Sequence, residues 1–509
     1  MIQAILENLR TYWIVHLLLL LYTVLLAYHA WSGNRETKGV ADYFVGGRAM
    51  GPIAIGLSFF ATYSSTNSFV GFSGQAYDWG VTWFLLVPFV VALSLFAWVG
   101  VAPRLRTFTE SLGSLTIPDF IGFRFGSPAA RVMAAVIVIF ASFFYMTAVF
   151  KGIGNLLEVF LDIPYRAAII IVFFIVMLYT VLGGFISVVK TDAVQGLVMV
   201  VAAVLLFRGV VAAAGGLDSV GALAGDPLTE PLLRWGGGVT VPLALGVVFA
   251  GTVKFAVEPR QLSRFYALES RQAIRKGVWV STVAFVVVYS LLIPVGLYAR
   301  NIMPGGLADT DLVVPQLLTT PGVFSAGVSA FLLLAMVAAA MSSLDSVLLV
   351  MASTAQRDIV GMLLPTASER SALAATRLYV AIFALITAII SLNPPEGIVV
   401  LTALSGAIYG ACFGPALLMG LHWRRGNGKA TIVSFVTGLL VLVVWNRLPW
   451  SGALHQVFPA VALSFVAYWL VAKLTPSYES EELDRLFAAE GKASRPPPRR
   501  RPPPSPSRR

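Results

Sequence analysis

The chain has 509 residues, of which 58% are hydrophobic and only 12% charged, against roughly 25% charged in soluble domains, so a bilayer is the expected medium. A single cysteine, Cys412, and four histidines exclude a disulfide framework and offer no zinc-type spacing. The net charge of +11 sits in short loops and a C-terminal tail, the pattern of a polytopic membrane protein and not of a nucleic-acid partner.

Runs of about 20 apolar residues, each long enough for a hydrocarbon core of ~30 Å, predict an all-α protein of about thirteen transmembrane helices. They lie near 11–31, 52–77, 81–103, 129–151, 164–182, 191–213, 237–257, 277–298, 321–350, 371–393, 396–421, 429–447 and 454–473. The first has no small-residue cleavage site and is read as a retained helix. Residues 1–473 therefore form one membrane domain. From 474 to 509 the composition changes: Glu479, Glu481 and Glu482 precede a Pro/Arg-rich run, which predicts a disordered cytoplasmic tail. Its arginines either touch anionic headgroups or stay solvated without a role.

Orientation follows from basic loop residues. Loops 32–51, 104–128, 258–276, 353–377 and 422–429 carry three to five each, Arg260 and Arg264 among them, whereas loops 214–236 and 299–320 carry only Arg234 and Arg300. The N-terminus is expected outside and the C-terminus in the cytoplasm.

Two spans are interrupted. The second carries Ala61-Thr-Tyr-Ser-Ser-Thr-Asn-Ser68 at mid-membrane, then Gly71 and Gly74; the seventh carries Gly251-Thr-Val-Lys254, then Pro259. They lie five spans apart. Breaks at corresponding positions point to a transporter with inverted repeats, because unwound backbone is tolerated only where it lines a cavity. The repeats would cover about 52–213 and 237–421. Close helix packing on Gly and Ser is the alternative for each break taken singly.

The ninth span holds Ala335-Met-Val-Ala-Ala-Ala-Met-Ser-Ser-Leu-Asp-Ser346. An ionisable residue in hydrocarbon costs roughly 2.5–3.5 kcal/mol, so hydroxyls and a carboxylate there predict a cation site or pathway. Ser342, Asp345 and Ser346 share one helix face. Serines that only bond the preceding turn are the alternative.

The stretches Tyr43-Phe-Val-Gly-Gly-Arg48, Gly183-Gly-Phe-Ile-Ser-Val-Val-Lys-Thr-Asp-Ala-Val-Gln195, Gln261-Leu-Ser-Arg-Phe265 and Ala338-Ala-Ala-Met-Ser-Ser343 resemble the sodium/solute symporters, which include proline, pantothenate and sugar carriers. The resemblance runs from about residue 11 to 473. It implies a leucine-transporter-like fold with a 5+5 inverted-repeat core and alternating access, with sodium as coupling ion. The family's shared sodium site would map to carbonyls of Ala61, Ser64 and Ala339 and to the side chains of Ser342 and Ser343. Hard cations take oxygen ligands, which these supply. A second sodium at Asp192, Asp345 and Ser346 is implied by members that bind one through such a carboxylate; pairing of Asp192 and Asp345 with basic loop residues is the alternative.

Solutes in that family sit near the broken helices, making Asn67, Ser68, Gln75, Tyr77, Lys151 and Lys254 candidate contacts. Two lysines on one cavity favour a small organic anion such as a monocarboxylate. Against this, Lys254 and Glu258 are spaced to pair on a helix, and Lys151 is placed to snorkel outward. Tyr63 stands where the proline carrier has an aspartate, and the sugar-binding positions are not reproduced as a set. Proton coupling through Asp192, Asp345 or Lys254 is the competing carrier mechanism. A membrane sensor would need a signalling domain, and a membrane enzyme an acid/base or metal constellation; neither is visible. A small-molecule solute and the lipid bilayer are the expected partners, with no obligate protein partner evident, and a bacterial inner membrane the expected location.

Overall fold

The computed structural model describes residues 7, 10–364, 368–449 and 451–493. Among them the chain is helical, and the isolated parallel bridge from Met50 to Leu268 is its β pairing. Eleven helices among the described residues are long and apolar enough to cross a membrane, and Pro52–Tyr63 and Tyr165–Met177 are shorter apolar pieces. Thirteen spans are therefore not fixed by length and apolarity, because some expected spans run on into each other and others are broken. The helices that carry the site are numbered in chain order: α1 Pro52–Tyr63, α2 Phe72–Trp79, α3 Pro128–Leu161, α4 Tyr165–Ala213, α5 Val241–Thr252, α6 Pro259–Ala267, α7 Ala273–Ile302, α8 Ala326–Thr354 and α9 Ile398–Gly414.

Burial separates the centre from the lipid face. The most apolar stretches of the α8 and α9 spans are each 89% buried, against 17% for Trp13–Glu36. α8 is rich in Ala, Ser and other small residues, so neighbours approach closely; it packs against α1, α3, α4 and Trp13–Glu36.

The expected break in the second span is present. Pro52 stands in the first turn of α1, and at Ser64 the backbone is extended, with φ −78° and ψ 104°. A π-turn over Asn67–Gly71 then leads into α2. The seventh span is interrupted at Val253, inside Gly251–Lys254, and again before Pro259. Val253 keeps helical angles, and the extended residue is Glu258, with ψ 125°. The cause is Pro259, whose ring disfavours helical geometry in the residue before it and which opens α6 at a position where its missing N–H costs nothing.

The fifth and sixth expected spans fall in the 49-residue α4, which kinks at Gly184, with φ 64° and ψ −173°. Only glycine adopts such angles readily, and a Cβ there would meet the Tyr43 ring at 2.7 Å. Two of the sequence motifs thus meet in space.

The tail departs from expectation. Residues 474–493 were read as part of a disordered segment, but Glu481–Ala493 is helical. Leu483 is fully buried, Phe487 stacks edge-on to Phe108 with centroids 5.2 Å apart, and Asp484 pairs with Arg424 at 2.6 Å. The charge-rich composition hid two apolar residues on one helical face, enough to dock it. The Pro/Arg run beyond residue 493 lies outside the described residues.

On the other side of the molecule α2 lies flat against α7 because Gly296 has no side chain: a Cβ there would strike the Ser73 carbonyl oxygen and approach the Tyr77 amide nitrogen to 2.5 Å. Gly296→Ala should cost about 1–3 kcal/mol by overpacking and lower the thermal unfolding midpoint in detergent; an unchanged midpoint would contradict this contact.

Candidate functional site

Where α1 stops, its last carbonyls lose their helical partners. The Ser65 amide turns to the Ser68 hydroxyl at 3.4 Å, which frees the Ala61 carbonyl, and buried carbonyls left without partners are costly. α8 supplies the replacements. Ser342 Oγ donates to Ala61 O at 3.0 Å and to Ala339 O at 3.1 Å, and Ser343 Oγ donates to Thr62 O at 3.3 Å. The Tyr145 hydroxyl of α3 donates to Ser343 Oγ at 3.2 Å. Ala61, Ala339, Ser342 and Ser343 are all fully buried. Four of the five residues in the sequence-derived sodium set are thus brought together. Ser64 is adjacent, but its contact runs through its hydroxyl to the Tyr289 hydroxyl at 3.4 Å, and the second carbonyl that α1 brings to the cluster is that of Thr62. The result is a cluster of carbonyl and hydroxyl oxygens from α1, α3 and α8, with Arg260 also donating to its Thr62 carbonyl; such oxygens are the ligands a hard cation takes.

One turn further along α8, a charged cluster lies beside the first. Asp192 of α4 accepts at Oδ2 from Ser58 at 2.6 Å, Thr62 Oγ1 at 3.1 Å and Arg264 Nη2 at 2.8 Å. The same Arg264 nitrogen donates to Ser346 Oγ at 2.6 Å, and Ser346 Oγ is 2.7 Å from Ser342 O. Asp345 Oδ1 accepts from Ser346 at 3.2 Å, while its Oδ2 is buried with no hydrogen-bond partner among the described residues. Asp192, Asp345 and Ser346, the set implied by the family resemblance, thus lie together, with Arg264 bonded to Asp192 and Ser346.

Arg260 and Arg264 were read as loop cations. Both are 1% exposed, which removes them from the orientation argument. The signal was available: Pro259 starts α6, so two arginines four apart share one inward face. Arg260 ion-pairs with Glu258 at 3.0 Å, donates to Thr62 O at 2.8 Å and lies 4.0 Å over the Tyr145 ring. Glu258 therefore serves Arg260, and its pairing with Lys254 on a continuous helix is prevented by the break. Tyr145 and Tyr289, uncharged and inside apolar runs, gave no sequence signal.

The candidate solute contacts divide into two groups. Near the break, Ser68 shares a 2.7 Å hydrogen bond with the Tyr289 hydroxyl, and Asn67 Oδ1 is buried with no hydrogen-bond partner among the described residues. Lys254 is 2% exposed, with its ammonium 3.4 Å from Thr402 O, 4.7 Å from the Tyr145 ring centroid and 5.9 Å from that of Tyr63. It forms no ion pair among the described residues. Further out, Tyr77 donates to Met303 O at 2.6 Å and stacks under Arg300 at 3.8 Å, and Gln75 is half-buried on α2. Lys151 does not snorkel: it pairs with Asp311 at 2.7 Å and Asp309 at 3.3 Å. Asp311 Oδ2 also caps the Ile398 amide of α9 at 3.0 Å. Burial pushes the Asp311 carboxyl above its ordinary range, against the pull of Lys151 and that amide.

The sequence profile of the sodium:solute symporter family matches residues 43–438. The chain belongs to this family. Members similar to it include the osmoregulated proline transporter OpuE of Bacillus subtilis, 29% identical over 475 residues that cover 89% of this chain and 94% of that one. The sodium/pantothenate symporter of Haemophilus influenzae is 27% identical, with 86% and 92% covered. Among solved structures, a substrate-bound, outward-open Na+-coupled sialic acid symporter superimposes with a TM-score of 0.79 at 18% identity, covering 92% of this chain and 99% of that one. Mhp1, a nucleobase-cation-symport-1 family transporter, superimposes at 0.55 and 14% identity, with 89% and 99% covered. The symporter is thus a multi-pass membrane transporter of the leucine-transporter-like fold, coupled to sodium, and not an enzyme.

In the symporter the Lys151–Asp311 pair is largely withdrawn from solvent, with side chains 12% and 6% exposed, so breaking it leaves the buried Asp311 carboxylate without its cation. Lys151→Met should lower stability by about 3–5 kcal/mol, and the Lys151→Met, Asp311→Asn double variant should recover most of that in thermal unfolding. Absence of recovery would show that the lysine serves something other than this pair.

Proposed function

We propose that the protein takes up a small carboxylate-bearing solute by alternating access, driven by sodium that binds between α1 and α8. The observation that carries this reading is the convergence of the Ser342 and Ser343 hydroxyls on the carbonyls released where α1 ends. A cation held there ties the two helices together and stabilises the conformation in which both are in place; coupling requires such a differential affinity between states. A sodium ion moving inward releases about 2.3 kcal/mol per 100 mV, in addition to its concentration gradient. The expected setting is a bacterial inner membrane with the N-terminus outside and the C-terminus in the cytoplasm.

The carboxylate assignment rests on Lys254. The ammonium is buried beside a carbonyl and two aromatic faces and makes no ion pair among the described residues, its nearby carboxylate Glu258 being taken by Arg260; an anionic group would complete this arrangement. Lys151, neutralised by two aspartates, is not part of this proposal. Two relatives are named for proline and pantothenate, and both of those solutes carry a carboxylate. Proline itself is disfavoured by Tyr63 at the position of the proline carrier's aspartate.

Proton coupling is the second reading, favoured by the buried, partnerless Asp345 Oδ2. Uptake into proteoliposomes at fixed pH separates the two. With sodium coupling, a sodium gradient drives accumulation and the combined Ser342→Ala, Ser343→Ala variant loses it; full accumulation by that variant would remove the site. Lys254→Met should weaken carboxylate affinity by roughly ten- to a hundredfold, the equivalent of about 1.5–3 kcal/mol for a hydrogen bond to a charged group. Unchanged affinity would take Lys254 out of solute recognition.

A further inference from the structure

We propose that the groove between the helix Trp13–Glu36 and α4 binds one anionic phospholipid, with an acyl chain along the groove and the phosphate on Arg35 and Arg377. The site is separate from those of the sodium and the solute, and its occupant is a membrane lipid.

The groove has a volume of about 400 Å³. One wall is a stripe of Trp13–Glu36 on which Thr23, Ala27, Trp31 and Asn34 recur at helical spacing. The other is formed by Phe174, Tyr179 and Leu182 of α4. Trp31, Phe174 and Leu182 are exposed, so the groove opens to the bilayer. From Thr23 to Asn34 the helix rises roughly 16 Å at about 1.5 Å per residue, close to half of a hydrocarbon core of ~30 Å. The groove therefore has the length of a single leaflet. Its two wall hydroxyls are already used: Thr23 donates to Leu19 O at 2.8 Å and Tyr179 to Met341 O at 3.0 Å. Short of Asn34, a polar solute would find no free partner along these walls, whereas a hydrocarbon chain needs none.

The charge sits at one end, on the side of the basic loops. The Arg35 guanidinium lies 4.1 Å over the Trp31 ring, and Arg377 Nη2 donates to Asn34 Oδ1 at 2.9 Å. Each of the two residues at the mouth thus carries an arginine. Glu36, the carboxylate next to Arg35, is taken by Lys190 and Ser32. Planar guanidinium forks suit phosphate oxygens, and tryptophan settles at the level of the headgroups. An apolar channel one leaflet long that ends at two arginines matches a chain that ends in a negative headgroup. A zwitterionic lipid fills the channel equally well but brings its own cation to the mouth.

Native mass spectrometry of the purified full-length protein, washed in detergent and given equal amounts of phosphatidylglycerol and phosphatidylcholine, tests the site. One phosphatidylglycerol per chain is expected, retained about tenfold over phosphatidylcholine. The combined Arg35→Gln, Arg377→Gln variant should lose that preference. Ala27→Phe, which fills the groove and leaves both arginines in place, should lose the retained lipid. Equal retention of the two lipids by the unaltered protein, or retention of neither, would overturn the inference, as would an undiminished preference in the arginine variant or phosphatidylglycerol still held by Ala27→Phe. Displacement of the lipid by an equal concentration of glycerol 3-phosphate would reveal a phosphate site with no use for the chain, and would overturn it too. Should a variant not purify as a folded protein, the comparison of the two lipids on the unaltered chain decides alone.

Discussion

Everything in the central region depends on a helix that stops in the middle of a membrane. Ending α1 at Tyr63 strands carbonyl oxygens where no water is available, and an unsatisfied backbone group there costs several kcal/mol. The α8 serines meet that demand, and they can do so only because the residues around them, Ala338 to Ala340 chief among them, are small enough for backbone and hydroxyl to touch. The oxygens that answer the need for backbone satisfaction are thus also of the kind a hard cation takes as ligands. A polar cluster in an apolar segment is at once a structural repair and a chemical opportunity.

Much of this was legible in the sequence because it depends on local rules. The break in the second span was announced by consecutive hydroxyl and amide residues followed by glycines, and the α8 cluster by serines and Asp345 amid apolar residues. In the seventh span Gly251–Lys254 and Pro259 marked the interruption, but which of them turns the backbone out of helix was not legible: the angles stay helical at Val253, and Pro259, acting backward on Glu258, makes the extended break. Arg260 and Arg264 were misassigned for a different reason. Near a predicted boundary, a charge in a loop and a charge folded inward look the same until tertiary contacts are known. Tyr145 and Tyr289 lie at the other limit, since an aromatic residue in an apolar run looks like lipid-facing bulk until its hydroxyl is seen to have a partner. The tail helix was missed because whole-segment composition outweighed the spacing of Leu483 and Phe487.

The buried charges form two groups. Arg260 with Glu258 and Arg264 with Asp192 are compensated within the protein, as buried ions must be to remain charged. Among the described residues Lys254 has no ion pair, and Asp345 Oδ2 has no hydrogen-bond partner; Arg124, also buried, is instead satisfied by the carbonyls of Gly420, Trp423 and Arg424.

The Met50 amide donates to the Ala267 carbonyl at 2.9 Å, and the Glu269 amide donates to the Met50 carbonyl at 3.1 Å. These two bonds splice the entrance of α1 to the exit of α6. Being main-chain to main-chain, they are indifferent to which side chains stand there, so mutational drift leaves them in place. The near ends of both broken helices are consequently joined through main chain alone, so a displacement of one is carried directly to the other.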